Sequence, residues 1–170
     1  MPLSQPVWPR IFSSPFVIAC ATLGPLGRKL PAPGTWGSLA GVIYFAAFYQ
    51  RASVGAILVA TAIGAYLAVA FCGEAEIRMR RKDPGAVVLD EFVAMPLCFL
   101  GWRLLPGGLP WWGILLAGFL LFRFFDILKP LGIARLQSLP AGWGVVADDL
   151  AAALAACATL HVGAWLWTQW

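Results

Sequence analysis

Eight acidic residues are the side chains of this sequence best suited to chemistry, and none of them precedes residue 74. Five of the eight lie inside apolar segments or at their ends. A carboxylate there carries a large desolvation cost unless it is paired, hydrated or bound to a metal. Oxygen ligands of this kind suit a hard divalent cation. We therefore predict one catalytic and metal-binding site formed by Asp90, Glu91, Asp126, Asp148 and Asp149.

Two of the acidic motifs pair adjacent carboxylates at the start of an apolar helix. The stretch VVLDEF contains Asp90 and Glu91, and the stretch GWGVVADD leads from a glycine-containing loop to Asp148 and Asp149. Either pair alone could be explained by the helix dipole, which favours acids in the first turn. Two such pairs at one depth, with Asp126 on a third helix, are better explained by a shared site.

A third motif, FRFFDILKP, combines both signs of charge on one helix. Arg123, Asp126 and Lys129 are spaced three apart, so neighbouring members can meet on the helix surface. An internal ion pair with a snorkelling lysine is the alternative explanation. The functional interpretation assigns Asp126 to the metal and Lys129 to a phosphate, with Arg123 assisting either.

A fourth motif, LPAPGTWGS, contains residues that can bind an anion. Gly34 permits close backbone approach, and Thr35 or Ser38 can cap the helix that follows. A plain helix cap is the alternative, but free N–H groups at a helix start also favour phosphate. We predict that Gly34, Thr35 and Ser38 contact phosphate. Asp83 lies in the loop that leads to Asp90.

The composition indicates what kind of protein must position these residues. Apolar residues make up 61% of the chain and charged residues 12%, with a mean hydropathy of +0.80. Soluble domains average about 25% charged residues, so the membrane class is favoured. The net charge of +4 comes without a basic face carrying interleaved aromatic residues, which excludes a nucleic-acid-binding module. No protein partner is indicated.

We predict an all-α fold, a polytopic membrane helical bundle that forms one domain over residues 1–170. About five transmembrane or membrane-embedded helices are expected. The first and third are short for the roughly 20 residues that a spanning helix needs. Residues 16–23 are too short to span, so we expect a re-entrant or interfacial segment there. The five apolar segments are approximately residues 36–49, 53–72, 87–102, 111–128 and 145–167.

Five spans would separate the basic residues unequally between the two sides of the membrane. One side receives eight lysines and arginines, and the other receives only Arg51 and Arg103. The positive-inside rule then places the richer side, which also carries the acids, in the cytoplasm. The eight are Arg28, Lys29, Arg78, Arg80, Arg81, Lys82, Lys129 and Arg135.

The four motifs, in this order, resemble those of the phosphatidylglycerophosphatase A family of bacterial inner-membrane enzymes. With their spacing they cover most of residues 20–155. Each motif is weak alone, whereas the ordered set is specific. The matching stretches are PAPGTWGSLA at residues 31–40, KDPGAVVLDEF at 82–92, FRFFDILKP at 122–130 and GWGVVADD at 142–149.

The resemblance implies a membrane-bound lipid phosphatase. Its substrate would be phosphatidylglycerophosphate, its product phosphatidylglycerol, its cofactor Mg²⁺ and its surroundings the lipid bilayer. The charge asymmetry described above, rather than the resemblance, predicts that the active site lies at the cytoplasmic face. The implied polar positions are Asp90, Glu91, Asp126, Lys129, Asp148 and Asp149, with Thr35 and Asp83 in support.

Two other functions remain compatible with the residues alone. A cation carrier or channel would also place carboxylates in a helical bundle, although its acids should be distributed through the membrane depth. A lipid-binding scaffold needs only lysine and arginine, and clustered acids would repel an anionic headgroup without a metal. The acids of this chain are confined to one predicted face, which favours the phosphatase.

Overall fold

The computed structural model describes residues 4–106 and 108–169, and every regular element in these two ranges is helical. The predicted all-α fold is therefore confirmed. The α-helices are α1 (Ser14–Ala21), α2 (Pro25–Lys29), α3 (Pro33–Tyr44), α4 (Val54–Met79), α5 (Leu89–Ala94), α6 (Trp111–Leu128) and α7 (Gly142–Trp167). The 3₁₀-helices are Trp8–Ile11, Met95–Phe99, Trp102–Leu104 and Ile133–Ser138, and Phe45–Tyr49 forms a π-helical turn.

Three helices are long and apolar enough to cross a membrane. Helices α4 and α7 contain 26 residues each and α6 contains 18, with mean hydropathies of 2.2, 1.6 and 1.7. At a rise of 1.5 Å per residue, they measure about 39 and 27 Å. Large apolar side chains such as Val59, Ile63 and Leu120 remain exposed on their outer faces. Lipid is the solvent in which such a surface is stable.

The predicted count of five spanning helices is not confirmed. The segment at residues 87–102 forms only the six-residue α5 and the 3₁₀-helix Met95–Phe99. Pro96 explains this change, because proline has no N–H and its ring collides with the carbonyl four residues earlier in an α-helix. Helix α3 and its π-helical turn together cover residues 33–49, which is also shorter than the three long helices.

Both short segments nevertheless run between the two ends of the bundle. At one end, the start of α3 lies against the Glu91 and Arg123 side chains. Deeper in the bundle, the Phe45 and Phe99 rings lie 4.5 Å apart. Near the other end, the Leu100 carbonyl oxygen lies 2.7 Å from His161 Nε2 of α7. We call the end at which α4 and α6 finish and α3, α5 and α7 begin the acidic end.

The N-terminal part of the chain packs against α4 and the start of α7. Helix α1 buries Val17 and Ala21, and the Ala21 carbonyl accepts a hydrogen bond of 3.0 Å from the Val88 amide, just before α5. A re-entrant or interfacial placement of residues 16–23 is not confirmed. Further upstream, Gln5 Nε2 donates to the Val69 and Ala70 carbonyls of α4. These hydrogen bonds thus attach the residues before α1 to the side of α4.

Candidate active site

Three carboxylates meet at the acidic end of the bundle. Asp90 and Glu91 lie in the first turn of α5, and Asp149 lies near the start of α7. One oxygen atom from each of the three lies within 4.8 Å of the other two. Asp90 and Asp149 are each only 4% exposed, and Glu91 Oε2 is buried without a hydrogen-bond partner among the described residues. We call Asp90, Glu91 and Asp149 the acid triad.

The other two predicted acids are paired with cations. Arg123 Nη1 donates to Asp126 Oδ2 over 2.7 Å, within the same turn of α6. Lys129 Nζ lies 3.9 Å from Asp126 Oδ1 and also donates to Asp148 Oδ2 of α7. The second Asp148 oxygen, Oδ1, is buried, and no residue in the described ranges forms a hydrogen bond with it. The three-residue spacing in α6 thus brings Arg123 and Lys129 to Asp126, as predicted. Asp148 of α7 provides a second carboxylate for Lys129.

Arg123 joins this charged pair to the acid triad. Its Nη1 atom lies 3.9 Å from Glu91 Oε1 and 3.3 Å from the Ser38 hydroxyl, to which it donates. Ser38 is fully buried and donates in turn to the Gly34 carbonyl over 2.7 Å. These contacts favour a role for Ser38 in holding the guanidinium group rather than in contacting a phosphate.

The glycines of α3 allow the helix to approach the acids closely. A Cβ atom at Gly34 would collide with Glu91 Oε1, and one at Gly37 would lie 2.7 Å from the Val88 Cβ atom. The cap residue of α3 is Ala32, which makes no side-chain capping bond. The predicted capping by Thr35 or Ser38 is therefore wrong. Thr35 lies in the first turn, and its amide donates to the Ala32 carbonyl over 2.9 Å.

Several loops that deliver the site residues contain non-glycine residues in the left-handed region. Ala32, Asp83, Lys129 and Ala141 have φ angles of 51, 45, 45 and 52°. Such conformations cost energy and persist only where the surrounding structure enforces them, as it often does at functional sites. At Lys129 the left-handed turn ends α6 immediately before Pro130, beside Asp148 of α7.

Asp83 and two residues that the sequence analysis did not select line a cleft beside the site. Lys82 Nζ donates to the Gln137 carbonyl over 3.3 Å, and both residues line a cleft of about 320 Å³ with Asp83. The Asp83 amide is held by Glu76 Oε1 at 2.6 Å. Lys82 adjoins Asp83 in the sequence and could have been selected for that reason. No sequence pattern indicates Gln137 as a site residue, because its position depends on the conformation of the loop between α6 and α7.

Burial and neighbouring charges shift the pKa values of three site residues outside the three long helices. Burial raises the pKa of Asp90 to about 6, although its carboxylate accepts a hydrogen bond from the Glu91 amide. Burial and then the charge of Asp90 raise the pKa of Glu91 well above its ordinary value. Burial lowers the pKa of Lys129, but the hydrogen bond and charge of Asp148 outweigh this effect and raise it. Lys129 therefore remains a cation at neutral pH.

The acid triad fits a hard divalent cation. It offers only oxygen ligands, and one of these, Glu91 Oε2, is buried without a partner. Three neighbouring carboxylates repel one another unless a positive charge lies between them. The sequence predicts one metal site for all five acids. The structure brings three of them together and places Asp126 and Asp148 beside Arg123 and Lys129.

The long apolar helices and the buried charged site define a helical membrane protein with a polar site at one end of its bundle. The family model for phosphatidylglycerophosphatase A matches residues 19–164. The chain belongs to this family, which confirms the resemblance of its motifs.

Individual relatives agree with this assignment. A phosphatidylglycerophosphatase A of Haemophilus influenzae is 42% identical over 73% of this chain and 74% of its own length. The Escherichia coli protein of the same name is 31% identical over 76% of this chain and 72% of its own. A Bacteroides thetaiotaomicron protein that bears a provisional phosphatidylinositol-3-phosphatase name is 34% identical over 79% and 85%. No solved structure gives a significant match.

Proposed function

We propose that this protein is a lipid phosphatase that removes the terminal phosphate of phosphatidylglycerophosphate and releases phosphatidylglycerol. Its family supports a phosphatase, and two of its relatives are named for this substrate. One observation carries the proposal at the level of chemistry: the acid triad lies beside Arg123 and Lys129 in one interior site. This arrangement offers both a place for a cation and two groups that attract a phosphate.

Mg²⁺ is the proposed cofactor, held by Asp90, Glu91 and Asp149. Held there, Mg²⁺ would supply Lewis-acid chemistry, which would offset the charge of the phosphate and make its phosphorus more open to attack. Its all-oxygen ligand preference agrees with the carboxylates present. A cation held by these three residues would also explain why the triad is tolerated in an apolar bundle, because its charge would offset the mutual repulsion of the three side chains.

Arg123 and Lys129 are the proposed phosphate-binding groups. Their side chains are 18 and 21% exposed, whereas the Asp148 side chain is only 3% exposed, so the cations form the more accessible side of the site. Asp126 and Asp148 hold these two cations in position through the ion pairs described above. Gly34 and Thr35 lie at the start of the adjoining helix and complete the proposed phosphate-binding side, with Asp83 in support.

The proposed reaction is hydrolysis of a phosphate monoester. A water oxygen forms a bond to phosphorus, and the bond from phosphorus to the glycerol oxygen breaks. One proton of the water is transferred to that glycerol oxygen, giving an alcohol and inorganic phosphate. A carboxylate of the site accepts this proton during attack and passes it to the leaving glycerol oxygen, and positioning of the phosphate by Arg123 and Lys129 favours in-line displacement.

The proposed location is the bacterial cytoplasmic membrane, with the acidic end facing the cytoplasm. The apolar outer surface of the three long helices supports insertion into a bilayer. The concentration of lysine and arginine toward the acidic end supports the orientation, since cytoplasmic loops carry an excess of these residues. The headgroup would then reach the site from the cytoplasmic leaflet while its acyl chains remain in lipid.

Phosphatidylinositol 3-phosphate is a second candidate substrate. It is favoured by the name of the Bacteroides relative, and it is likewise a phosphate monoester on a membrane lipid. The acid triad and the two cations recognise features that both lipids share, so a direct comparison is needed to rank them.

Purified protein in detergent micelles, supplied with Mg²⁺ and either lipid, tests the proposal. We expect inorganic phosphate to be released fastest from phosphatidylglycerophosphate, and the Asp126→Asn and Asp148→Asn variants to lose most of this activity. Glu76→Gln serves as the matched control, because an amide oxygen can still accept the Asp83 amide hydrogen. No release by the native protein, or undiminished release by both aspartate variants, would refute the assignment.

A further inference from the structure

A groove between α3, α4 and α5 lies next to the site but is not part of the charged cluster. It has a volume of about 200 Å³, and almost all of its lining is apolar. Its walls include Ala60, Thr61 and Gly64 of α4 and Phe92 of α5. We call it the α3–α4–α5 groove.

Three hydroxyl groups interrupt the apolar lining. Thr61 is 6% exposed, and its Oγ1 atom is buried without a hydrogen-bond partner in residues 4–106 and 108–169. The hydroxyl groups of Tyr44 and Tyr49 hydrogen-bond to each other over 2.7 Å. Only one of the two tyrosine protons is used in that bond. Thr61 and the tyrosine pair therefore each retain a proton for an acceptor inside the groove.

A buried hydroxyl without a partner is costly in an apolar environment, so its presence in the lining points to a ligand that carries acceptors. The ligand must otherwise be apolar, because the rest of the lining offers no polar contact to it. The acyl ester region of a glycerolipid has this chemistry. Its carbonyl oxygens accept hydrogen bonds and cannot donate them, and hydrocarbon chains follow immediately.

Helix α5 connects the groove to the acid triad. Leu89 and Phe92 line the groove, whereas the intervening Asp90 and Glu91 face the charged site. Successive residues of a helix point in different directions, so this short helix separates the two environments. A lipid whose headgroup lies on one side of α5 has an apolar cleft available on the other.

The depth of Thr61 agrees with a lipid bound in this way. Gly64 packs against Val93, which lies one turn below Asp90, and Thr61 lies about one further turn from the acidic end. At 1.5 Å per residue, these two steps place Thr61 about 9 Å deeper than the acids. In phosphatidylglycerophosphate, the ester carbonyls are separated from the terminal phosphate by a glycerol, a phosphodiester and the glycerol backbone. With the phosphate at the acids, the carbonyls therefore lie deeper in the bundle, on the same side as Thr61.

We propose that the α3–α4–α5 groove binds the acyl ester region of the lipid substrate, with Thr61 and the Tyr44–Tyr49 pair donating hydrogen bonds to ester carbonyl oxygens. This inference rests on the proposed function for the identity of the headgroup. The groove makes the enzyme selective for a diacylated phosphomonoester over a water-soluble one that has the same terminal phosphate.

Filling the groove tests this assignment. The Ala60→Leu variant should raise the KM for long-chain phosphatidylglycerophosphate about tenfold or more and leave hydrolysis of the deacylated headgroup compound unchanged. Thr61→Val should raise the same KM by several-fold, and Thr61→Ser should restore it. Ala62→Leu is the matched control, because Ala62 lies on the exposed surface of the same helix. Equal effects of Ala60→Leu on both substrates, or no effect on either, would overturn the proposal.

A second measurement keeps the proposal testable if the deacylated compound reacts too slowly. Phosphatidylglycerol with a photoreactive group near the start of one acyl chain is cross-linked to the full-length protein in micelles. We expect the labelled peptides to contain residues 60–67 or 89–96. Labelling confined to other surfaces would overturn the groove assignment, whatever the enzyme assay shows. Failure of the native protein to hydrolyse either substrate would instead contradict the proposed phosphatase function.

Discussion

At the scale of single residues, the five predicted acids divide into two groups with different surroundings. Asp90, Glu91 and Asp149 face one another, whereas Asp126 and Asp148 are neutralised by Arg123 and Lys129. Residues of identical type thus acquire different roles from the charges beside them. The triad is the proposed site for a cation from solution, whereas the two paired acids hold the protein's own cations.

The Asp149→Asn substitution separates function from stability. At a pH high enough to ionise the triad, loss of one charge should relieve the repulsion among its carboxylates, so we expect a higher Tm than that of the native protein when divalent cations are removed with a chelator. Phosphatase activity should fall about 100-fold or more, because even the outer partners of metal ligands are worth about 10- to 100-fold. Thermal unfolding in detergent and phosphate release measure the two effects.

The control for this prediction is again Glu76→Gln, which changes a carboxylate outside the triad. It should leave both the Tm difference on Mg²⁺ addition and the activity close to native. A lower Tm for Asp149→Asn in the metal-free state would contradict the repulsion argument. Retention of a native Mg²⁺-induced Tm increase would remove Asp149 from the proposed ligand set.

At the scale of elements, the short helix α5 is positioned by close contacts with its neighbours. Gly37 of α3 contacts Val88, just before α5, and Gly41 contacts Met95, just after it. The Val88 amide is also tied to the Ala21 carbonyl of α1. A six-residue helix is too short to be stable alone, so these contacts must fix the direction in which its two acids point.

The Gly37→Ala substitution tests this dependence on α3. The added Cβ would lie 2.7 Å from the Val88 Cβ and 2.9 Å from its carbonyl oxygen, so the two elements must separate. We expect a destabilisation of about 1–3 kcal/mol, typical of overpacking, together with reduced activity. Gly163→Ala in α7 is the matched control, because nothing lies within 4 Å of its added Cβ. Equal Tm values for the two variants would contradict this prediction, because they would show that the contact between α3 and α5 accommodates an added methyl group.

The residues before α1 fasten the start of α7 to α4, although they precede the region matched by the family model. Gln5 Oε1 accepts a hydrogen bond of 3.2 Å from the Gly142 amide at the start of α7, while its Nε2 donates to two carbonyls of α4. The Trp143 indole donates to the Ser4 carbonyl over 3.1 Å. Asp148 and Asp149 lie less than two turns further along α7, so this attachment affects the site.

The Gln5→Ala substitution should therefore weaken the protein by about 1–2 kcal/mol, because it leaves the Gly142 amide without this partner. We expect a lower Tm in detergent and a smaller fall in activity than any triad substitution causes. Gln169→Ala, at the exposed end after α7, is the matched control. An unchanged Tm for Gln5→Ala would mean that the N-terminal residues do not support α7.

At the scale of the whole molecule, the bundle has two chemically different ends. All eight acids lie at or near the acidic end, and Arg103 lies at the other end, beside Trp102. In the part of the chain that the structure describes, three helices are long and apolar enough to cross a membrane, and the short segments at residues 33–49 and 87–102 run between the same two ends of the bundle. This geometry supports the proposed orientation, with the acidic end in the cytoplasm.

Cysteine labelling in cells tests the orientation. Arg81→Cys and Arg103→Cys place single exposed thiols at opposite ends of the molecule. With a membrane-impermeant maleimide, we expect the thiol at position 103 to react in intact spheroplasts and the thiol at position 81 to react only after permeabilisation. The unsubstituted protein measures the background from Cys20 and Cys157, which are partly exposed. The reverse pattern would place the acidic end outside.

The sequence by itself determined the membrane class, the all-helical fold, the family and the five acids. Hydropathy and local spacing suffice for these, because long apolar runs require helices in lipid and three-residue spacing pairs Arg123 with Asp126. Only the tertiary structure decided that Asp149 joins Asp90 and Glu91, that Asp148 instead pairs with Lys129, and that Ser38 holds Arg123. It also decided that residues 87–102 form short helices around Pro96. The physical reason is that these outcomes depend on contacts between separate helices, whose approach is set by glycine packing and loop geometry rather than by any local pattern.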